Sequence, residues 1–466
     1  MGLKILQLLK EIAFNRILTM NKFFLPSFIF FMMILLPFKG NAQNPIIQTK
    51  FTADPAPVVY QDTVYLYTSH DEDDAKGFKM QNWLLYTFTD MANWTDHGVV
   101  ASLKDFGWAR QDNGAWAPQA IERNGKFYLY CPIHGNGIGV LVADSPYGPF
   151  KDPLGKRLID SDHIWNDIDP TVYIDDDGQA YLYWGNPDIY YVKLNKDMIS
   201  YSGEIHKISS KPQNYQEGPW FYKRKGHYYL AYASTCCPEG IGYAMSESPT
   251  GPWKYKGMIM DPSPKSSGNH PGIIDYKGNS YVFGFNYAIN YSLTDTHRER
   301  RSVCVTKITY NANGTIRKQP WWSDKGVAQI GTLNPFNRTE AETIAWESGV
   351  ETEKKSSAGI YVTDIDNGDY IKIRGVNFGS NGAGIFYARV ASANKGGEIE
   401  MHLDSLQGTE IGSLRVLNTG GWNEWRVRKA SVQRARGVHD LFLVFKGTTG
   451  KNLFNFDYWK FTDFTQ

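Results

Sequence analysis

Five times along this chain a short acidic or aromatic segment with a proline leads into a strand, a tight polar turn and a second strand. Asp167-Ile168-Asp169-Pro170 opens the clearest copy, running through Val172-Tyr173-Ile174 and Asp175-Asp176-Asp177-Gly178 to Tyr181-Leu182-Tyr183-Trp184. Asp54-Pro55 leads in the same way to Tyr65-Leu66-Tyr67, and Trp116-Ala117-Pro118 leads through Asn124-Gly125 to Tyr128-Leu129-Tyr130. Glu217-Gly218-Pro219 reaches Tyr229-Leu230 through Lys225-Gly226, and His270-Pro271 reaches Tyr281-Val282-Phe283 through Lys277-Gly278. Alternating apolar residues around Asn-Gly-type turns are hairpin signals. A second polar turn recurs out of phase with the first: Thr89-Asp90-Met91, Asp144-Ser145-Pro146, Ser246-Glu247-Ser248-Pro249 and a degenerate Asn195-Lys196-Asp197-Met198. Two hairpins in every ~50 residues are the mark of propeller blades. The chain is therefore expected to be all-β, with a five-bladed β-propeller over residues 44–330.

A ring of blades brings the start of each innermost strand to the central channel. Asp54, Trp116, Asp169, Glu217 and His270 are expected to meet there. One Asp-Pro is usually just a turn, but acids at matching places in a repeat are a stronger signal. Three carboxyls serving only backbone groups is the competing reading, and it is costly, because like charges buried together repel. The chain offers no phosphate loop and no Cys set with metal-ligand spacing. A carboxylate cluster then points to glycoside hydrolysis, where one carboxyl delivers a proton and another activates water. Crowding of like charges raises one pKa and so separates the two roles. The acidic insertion Ser69 to Gly77 either lines the mouth of this site or is solvated.

A formal net charge of +1 over 466 residues, with no basic runs, argues against nucleic acid as a partner. An apolar run from Asn21-Lys22 to Phe38, followed by Gly40-Asn41-Ala42, fits a cleaved signal peptide over residues 1–42. Met20 is then a candidate true start, and a membrane anchor is the rival reading. The mature protein is expected to be exported, periplasmic or secreted, without a membrane span. The vicinal Cys236-Cys237 pair is open to two readings, a disulfide or buried free thiols.

Past Gly331-Thr332-Leu333-Asn334-Pro335 the hairpin repeat stops. Short alternating strands such as Tyr370-Ile371-Lys372-Ile373 and Asp440-Leu441-Phe442-Leu443-Val444-Phe445 suggest a β-sandwich of jelly-roll type over residues 338–466.

The five segments Thr52-Ala53-Asp54-Pro55, Ala115-Trp116-Ala117-Pro118, Asp167-Ile168-Asp169-Pro170, Gln216-Glu217-Gly218-Pro219 and Gly268-Asn269-His270-Pro271 together resemble glycoside hydrolase family 43, and the stretches Val64 to Asp73 and Ile174 to Asn186 resemble its arabinoxylan arabinofuranohydrolase and xylosidase/arabinosidase groups. The resemblance implies an inverting enzyme with Asp54 as base, Glu217 as acid and Asp169 as orienter and pKa modulator. It implies a central divalent cation, often calcium, faced by His270, whose alternative is a satisfied core histidine. An arginine near the sugar falls at Arg300 or Arg301, with Arg301 preferred; Trp116 is a subsite wall or plain core. Glu340-Ala341-Glu342 at the start of the C-terminal part and Asn455-Phe456-Asp457-Tyr458-Trp459 at its end, with Asp366-Asn367-Gly368-Asp369 and Thr419-Gly420-Gly421-Trp422 between them, resemble carbohydrate-binding module family 6. That implies structural calcium at Glu340, Glu342 and Asp457, and sugar contacts from Trp422 and Asn455. Asp364 stands where this family has a second aromatic, which leaves Tyr361 as a substitute or the module as mainly structural.

The implied activity is release of α-L-arabinofuranosyl groups from arabinoxylan or its oligosaccharides. β-D-Xylosidase (or a bifunctional enzyme) and a catalytically silent glycan-binding propeller are the alternatives.

Overall fold

The computed structural model describes residues 43–464 apart from 161–164, 166, 265–268, 356–357, 434 and 449. The expected signal segment lies outside the described residues. The chain is all-β, and its first part is five consecutive antiparallel sheets. The first holds β1 (Thr52–Tyr60), β2 (Thr63–His70), β3 (Asn82–Phe88) and β4 (Trp94–Ser102). The second holds β5 (Gln119–Arg123), β6 (Lys126–Ile133) and β7 (Gly137–Ala143). The third holds β8 (Thr171–Ile174), β9 (Ala180–Trp184), β10 (Tyr190–Leu194) and β11 (Tyr201–Lys207). Next come β12 (Tyr215–Arg224), β13 (His227–Ser234), β14 (Gly240–Ser246) and β15 (Lys254–Met260), then β16 (Gly272–Tyr276), β17 (Asn279–Asn286) and β18 (Ser302–Ile308).

The turns behave as their sequences predict. Asn124-Gly125, Lys225-Gly226 and Lys277-Gly278 each place both residues at positive φ, the primed geometry that matches the twist of a hairpin. Each sheet is covered on both faces by its neighbours, so the two sides of a strand both read apolar. Tyr65 and Tyr67 pack with Phe127 and Leu129 of the second sheet, whereas Val64 and Leu66 pack with Ile274 and Phe283 of the fifth.

The first strands touch in a closed cycle: β1 meets β5, β5 meets β8, β8 meets β12, β12 meets β16, and β16 meets β1. The ends of the chain segment seal this cycle. Ile46 N donates to Val303 O at 2.9 Å, and the Asn44 amide exchanges two hydrogen bonds with Val305. The N-terminal residues thus extend the last sheet rather than the first.

The C-terminal part is two facing sheets around one core that includes Phe386, Leu443, Phe456 and Trp459. It begins with β19 (Thr339–Glu340) and β20 (Thr343–Ile344). β20 does not join either facing sheet; it pairs antiparallel with β4 as the outer edge of the first sheet. Buried Asp96 accepts from Thr352 Oγ1 at 2.7 Å, and Asn93 exchanges hydrogen bonds with the Arg374 backbone. Among the described residues the two parts form one compact unit.

Candidate active site

The acids stand where the first strands begin, Asp54 and Glu217 at breaks in the pairing and Asp169 just ahead of β8. β1 is irregular between Ala53 and Ala56, and β12 is irregular on both sides of Glu217. Such bulges re-aim side chains. Asp54 and Asp169 take positive φ (50° and 59°), as does Gly218 (59°). The residues before the prolines are thus Asp54, Ala117, Asp169, Gly218 and His270, and Trp116 and Glu217 are each displaced by one position. The five hub residues are therefore not strictly equivalent. Glycine is required at 218: a Cβ there would lie 3.0 Å from the His270 ring.

Asp54 is 6% exposed. Its Oδ2 accepts from Ser69 Oγ at 2.7 Å and its Oδ1 from Arg301 Nη1 at 2.9 Å, with His270 Nδ1 3.8 Å away. Arg301 is fixed in turn by Asp71, which takes hydrogen bonds from its backbone N, Nε and Nη2 at 2.8–2.9 Å. Asp71 is wholly buried, and burial pushes its carboxyl up against the downward pull of Arg301. Arg300 points away and donates to Ala75 O. Of the two candidate arginines, Arg301 is the one at the acids.

Glu217 is half-buried, and Asn186 Nδ2 donates to its Oε2 at 2.5 Å. Burial first, then the Asp54 charge, raises it to about 7, with Arg301 and Asn186 pulling the other way. Asp169 is 4% exposed and accepts from Gly218 N at 3.0 Å. Burial, then Glu217 and Asp54, pushes it well above the carboxylate range. Burial lowers His270 to about 4, so it is a neutral imidazole at pH 7.

A fifth carboxyl joins them. Glu239, 3% exposed, accepts from Asn269 N at 3.0 Å and is raised to about 9 by burial and then by Glu217. Trp116 lies farther out: it stacks on His134 (4.0 Å between ring centres, 7° between planes) and meets Phe78, over which the Arg301 guanidinium sits. It is half-buried and also packs against the core, so both readings of this residue describe part of it.

Sequence reasoning reached Ser69 and Asp71 only as part of the insertion Ser69 to Gly77, with no role for either, and missed Asn186 and Glu239. Ser69, Asp71 and Asn186 lie at or just past the end of a second strand, β2 or β9, and Glu239 closes the loop from β13 to β14. The repeat carried that signal, because hairpin geometry returns the second strand to the level where the first begins. The acidic insertion after β2 divides accordingly: Asp73 and Asp74 are exposed, while Asp71 is in the site.

In the C-terminal part Glu342 and Asp457 are buried, and Glu342 Oε2 and Asp457 Oδ1 have no hydrogen-bond donor. Burial pushes Glu342 well up, with Glu340, Asp96 and Asp457 adding to it. Arg338 donates to Glu340, and Arg389 to the other oxygen of Asp457. Two buried, donorless carboxylate oxygens fit an oxygen-seeking cation such as calcium. Among the described residues, however, only Cys236, Cys237 and Glu239 bring three potential ligand atoms within 4.8 Å of one another, and those two cysteines form a disulfide. Both are exposed, in contrast to the reading as buried thiols; Cys131 and Cys304 are the buried free ones. Asn455 spends its amide inside the fold, donating to Trp422 O and accepting from Thr363 Oγ1. Trp422 is 36% exposed, whereas Tyr361 is fully buried and offers no open face.

Buried carboxyls of divided protonation at the hub of an all-β ring are the equipment of a glycoside hydrolase. The pattern described as "Glycosyl hydrolases family 43" matches residues 42–316, and "Carbohydrate binding module (family 6)" matches 340–463. The chain belongs to glycosyl hydrolase family 43 and carries a family 6 module. It is 37% identical to an arabinoxylan arabinofuranohydrolase of Bacillus subtilis, over 91% of this chain and 93% of that one. A relative of the same description from Paenibacillus polymyxa is 36% identical over 91% of this chain and 74% of its own length. A crystal structure of a family 43 arabinoxylan arabinofuranohydrolase from Bacillus subtilis, in complex with cellotetraose, superposes with a TM-score of 0.81 at 35% identity, covering 91% of this chain and 98% of the other.

Proposed function

We propose that this protein is an inverting exo-glycosidase that releases α-L-arabinofuranosyl side groups from arabinoxylan or its oligosaccharides. The observation that carries the chemistry is the contrast between Asp54, held by Arg301 and Ser69, and Glu217, raised to about 7. Asp54 takes a proton from water, whose oxygen attacks the anomeric carbon from the far face. Glu217 gives its proton to the departing oxygen as the glycosidic bond breaks, and the configuration inverts. Asp169 holds the Gly218 backbone and so positions Glu217. The arabinoxylan substrate rests on the names of relatives that align over nine-tenths of the chain.

The closed cycle of first strands supports a five-bladed propeller over residues 44–330, and the two facing sheets support a jelly-roll sandwich over 338–466. Glu340, Glu342 and Asp457 would hold a structural calcium, for which the donorless oxygens argue. Trp422 is the exposed aromatic available to sugar in the module. The apolar stretch ahead of Gln43 supports export.

The test is product analysis on arabinoxylan, with proton NMR of the first-formed sugar. Free arabinose of inverted configuration, with little xylose and an unshortened backbone, is expected. Stepwise xylose release from linear xylo-oligosaccharides, without arabinose from the polymer, would establish the β-xylosidase alternative instead.

A further inference from the structure

Every second strand of the hub sheets ends in a loop on the side of the acids. After β2 comes Asp71, after β6 His134, after β9 Asn186, and before β18 Arg301. In the fourth sheet the same loop is Thr235-Cys236-Cys237-Pro238-Glu239. β13 pairs with β12 in a register that sets Ala233 opposite Glu217 and Ser234 opposite Tyr215. Thr235 N then donates to Asn214 O at 2.9 Å, so the loop rises directly over the start of the Glu217 strand.

The disulfide in that loop joins neighbours in sequence. It closes no chain loop, so it adds none of the unfolded-state restriction by which disulfides stabilise folds. Its consequence is local. Both cysteines are exposed, and their sulfurs lie within 4.8 Å of a Glu239 carboxylate oxygen, in the electrostatic cluster of Glu217. A bridged pair presents a fixed, polarizable, apolar surface with no strong hydrogen-bond donor, amid carboxyls and amides. Sugar pockets need such a surface against the C–H face of a ring and polar groups at its edge.

We propose that the Cys236–Cys237 disulfide is the apolar floor of the subsite for the leaving sugar, a pentopyranosyl ring of the backbone next to the cleaved bond. The inference rests on the function proposed above. Glu217 protonates the oxygen that this ring carries away, and the disulfide loop belongs to the same sheet.

The experiment compares kcat/KM of wild type and the double variant Cys236→Ser/Cys237→Ser on two substrates. One is an arabinosylated xylo-oligosaccharide; the other is arabinofuranosyl fluoride, which has no leaving ring. The loss on the oligosaccharide should exceed that on the fluoride by about tenfold, carried by KM, which is the worth of burying roughly 50 Å² of apolar surface. Equal losses on both substrates, or no loss on either, would overturn the proposal. Should the variant fail to melt cooperatively, wild type reduced by a phosphine and then reoxidised is read by the same ratio, with the same two outcomes. Wild type that turns over the fluoride but frees no arabinose from the oligosaccharide overturns the functional reading as well, which tells the two failures apart.

Discussion

Glu217→Gln should separate substrates by their leaving group. The amide keeps the size of the side chain and an oxygen for Asn186 Nδ2, so binding geometry is preserved and the transferable proton is lost. General acid catalysis is worth about 10²–10⁴ in rate, and a departing sugar alkoxide needs all of it. A nitrophenolate departs without a proton. The variant should therefore lose about 10³-fold in kcat/KM on arabinoxylo-oligosaccharides and less than about tenfold on nitrophenyl arabinofuranoside. Asp54→Asn, which removes water activation, should cost both substrates alike. The pH profile gives a second reading. With Glu217 at about 7, the acid is protonated below that pH and ionised above it. Wild-type kcat/KM on the oligosaccharide should then fall about tenfold per unit above pH 7, and that limb should be missing in the variant. The same ratio of losses for Glu217→Gln and Asp54→Asn would refute the division of roles, even if both residues proved essential.

Asp71→Ala leaves Arg301 buried with one counter-ion in place of two; a loss of about 3–5 kcal/mol in stability is expected, and a melting temperature unchanged within 2 °C would contradict it. Glu239 has a folded pKa of about 9 against an ordinary 4.5, so its contribution is complete below pH 4.5 and is lost as pH rises towards 9. Melting curves of Glu239→Gln should accordingly gain on wild type from pH 5 to pH 9, and a constant difference would count against the buried acid. Chelation should lower the melting temperature of wild type and not that of Glu342→Gln; an equal response in both would remove Glu342 from the cation site.

The hub was legible because a repeat announces itself: turn residues such as Asn124-Gly125 and paired tyrosines such as Tyr65 and Tyr67 recur at fixed offsets. Asp54, Asp169 and Glu217 could be found because the prolines mark each entry to the ring. Asp71 was legible only as a member of the insertion Ser69 to Gly77, and Glu239 not at all: the repeat sets the ends of the second strands level with the acids, but the loops beyond them differ in length from sheet to sheet. The displacement of Glu217 by one residue from its proline can be read in Glu217-Gly218-Pro219, but its accommodation could not, because that depends on the bulges in β12 and on the close approach of Gly218 to the His270 ring. The C-terminal part was legible as sheets, but the partner of β20 was not. Two residues, Thr343 and Ile344, carry no pattern that tells a strand of one part from a strand of the other.

That short strand makes the architecture a splint rather than a tether. A module on a flexible linker searches a volume set by the linker's length. Here the bearing of the C-terminal sheets on the hub is constant, so a polysaccharide lying on them meets the acids from one direction only. Exchanging this module for another of its kind would take from Trp94 and Thr95 their partners on β20 and expose those edge groups of the first sheet. For protein engineers the unit of recombination is the whole span from Asn44 to Phe464, because the boundary near residue 338 is a seam in sequence that sheet pairing and buried hydrogen bonds cross.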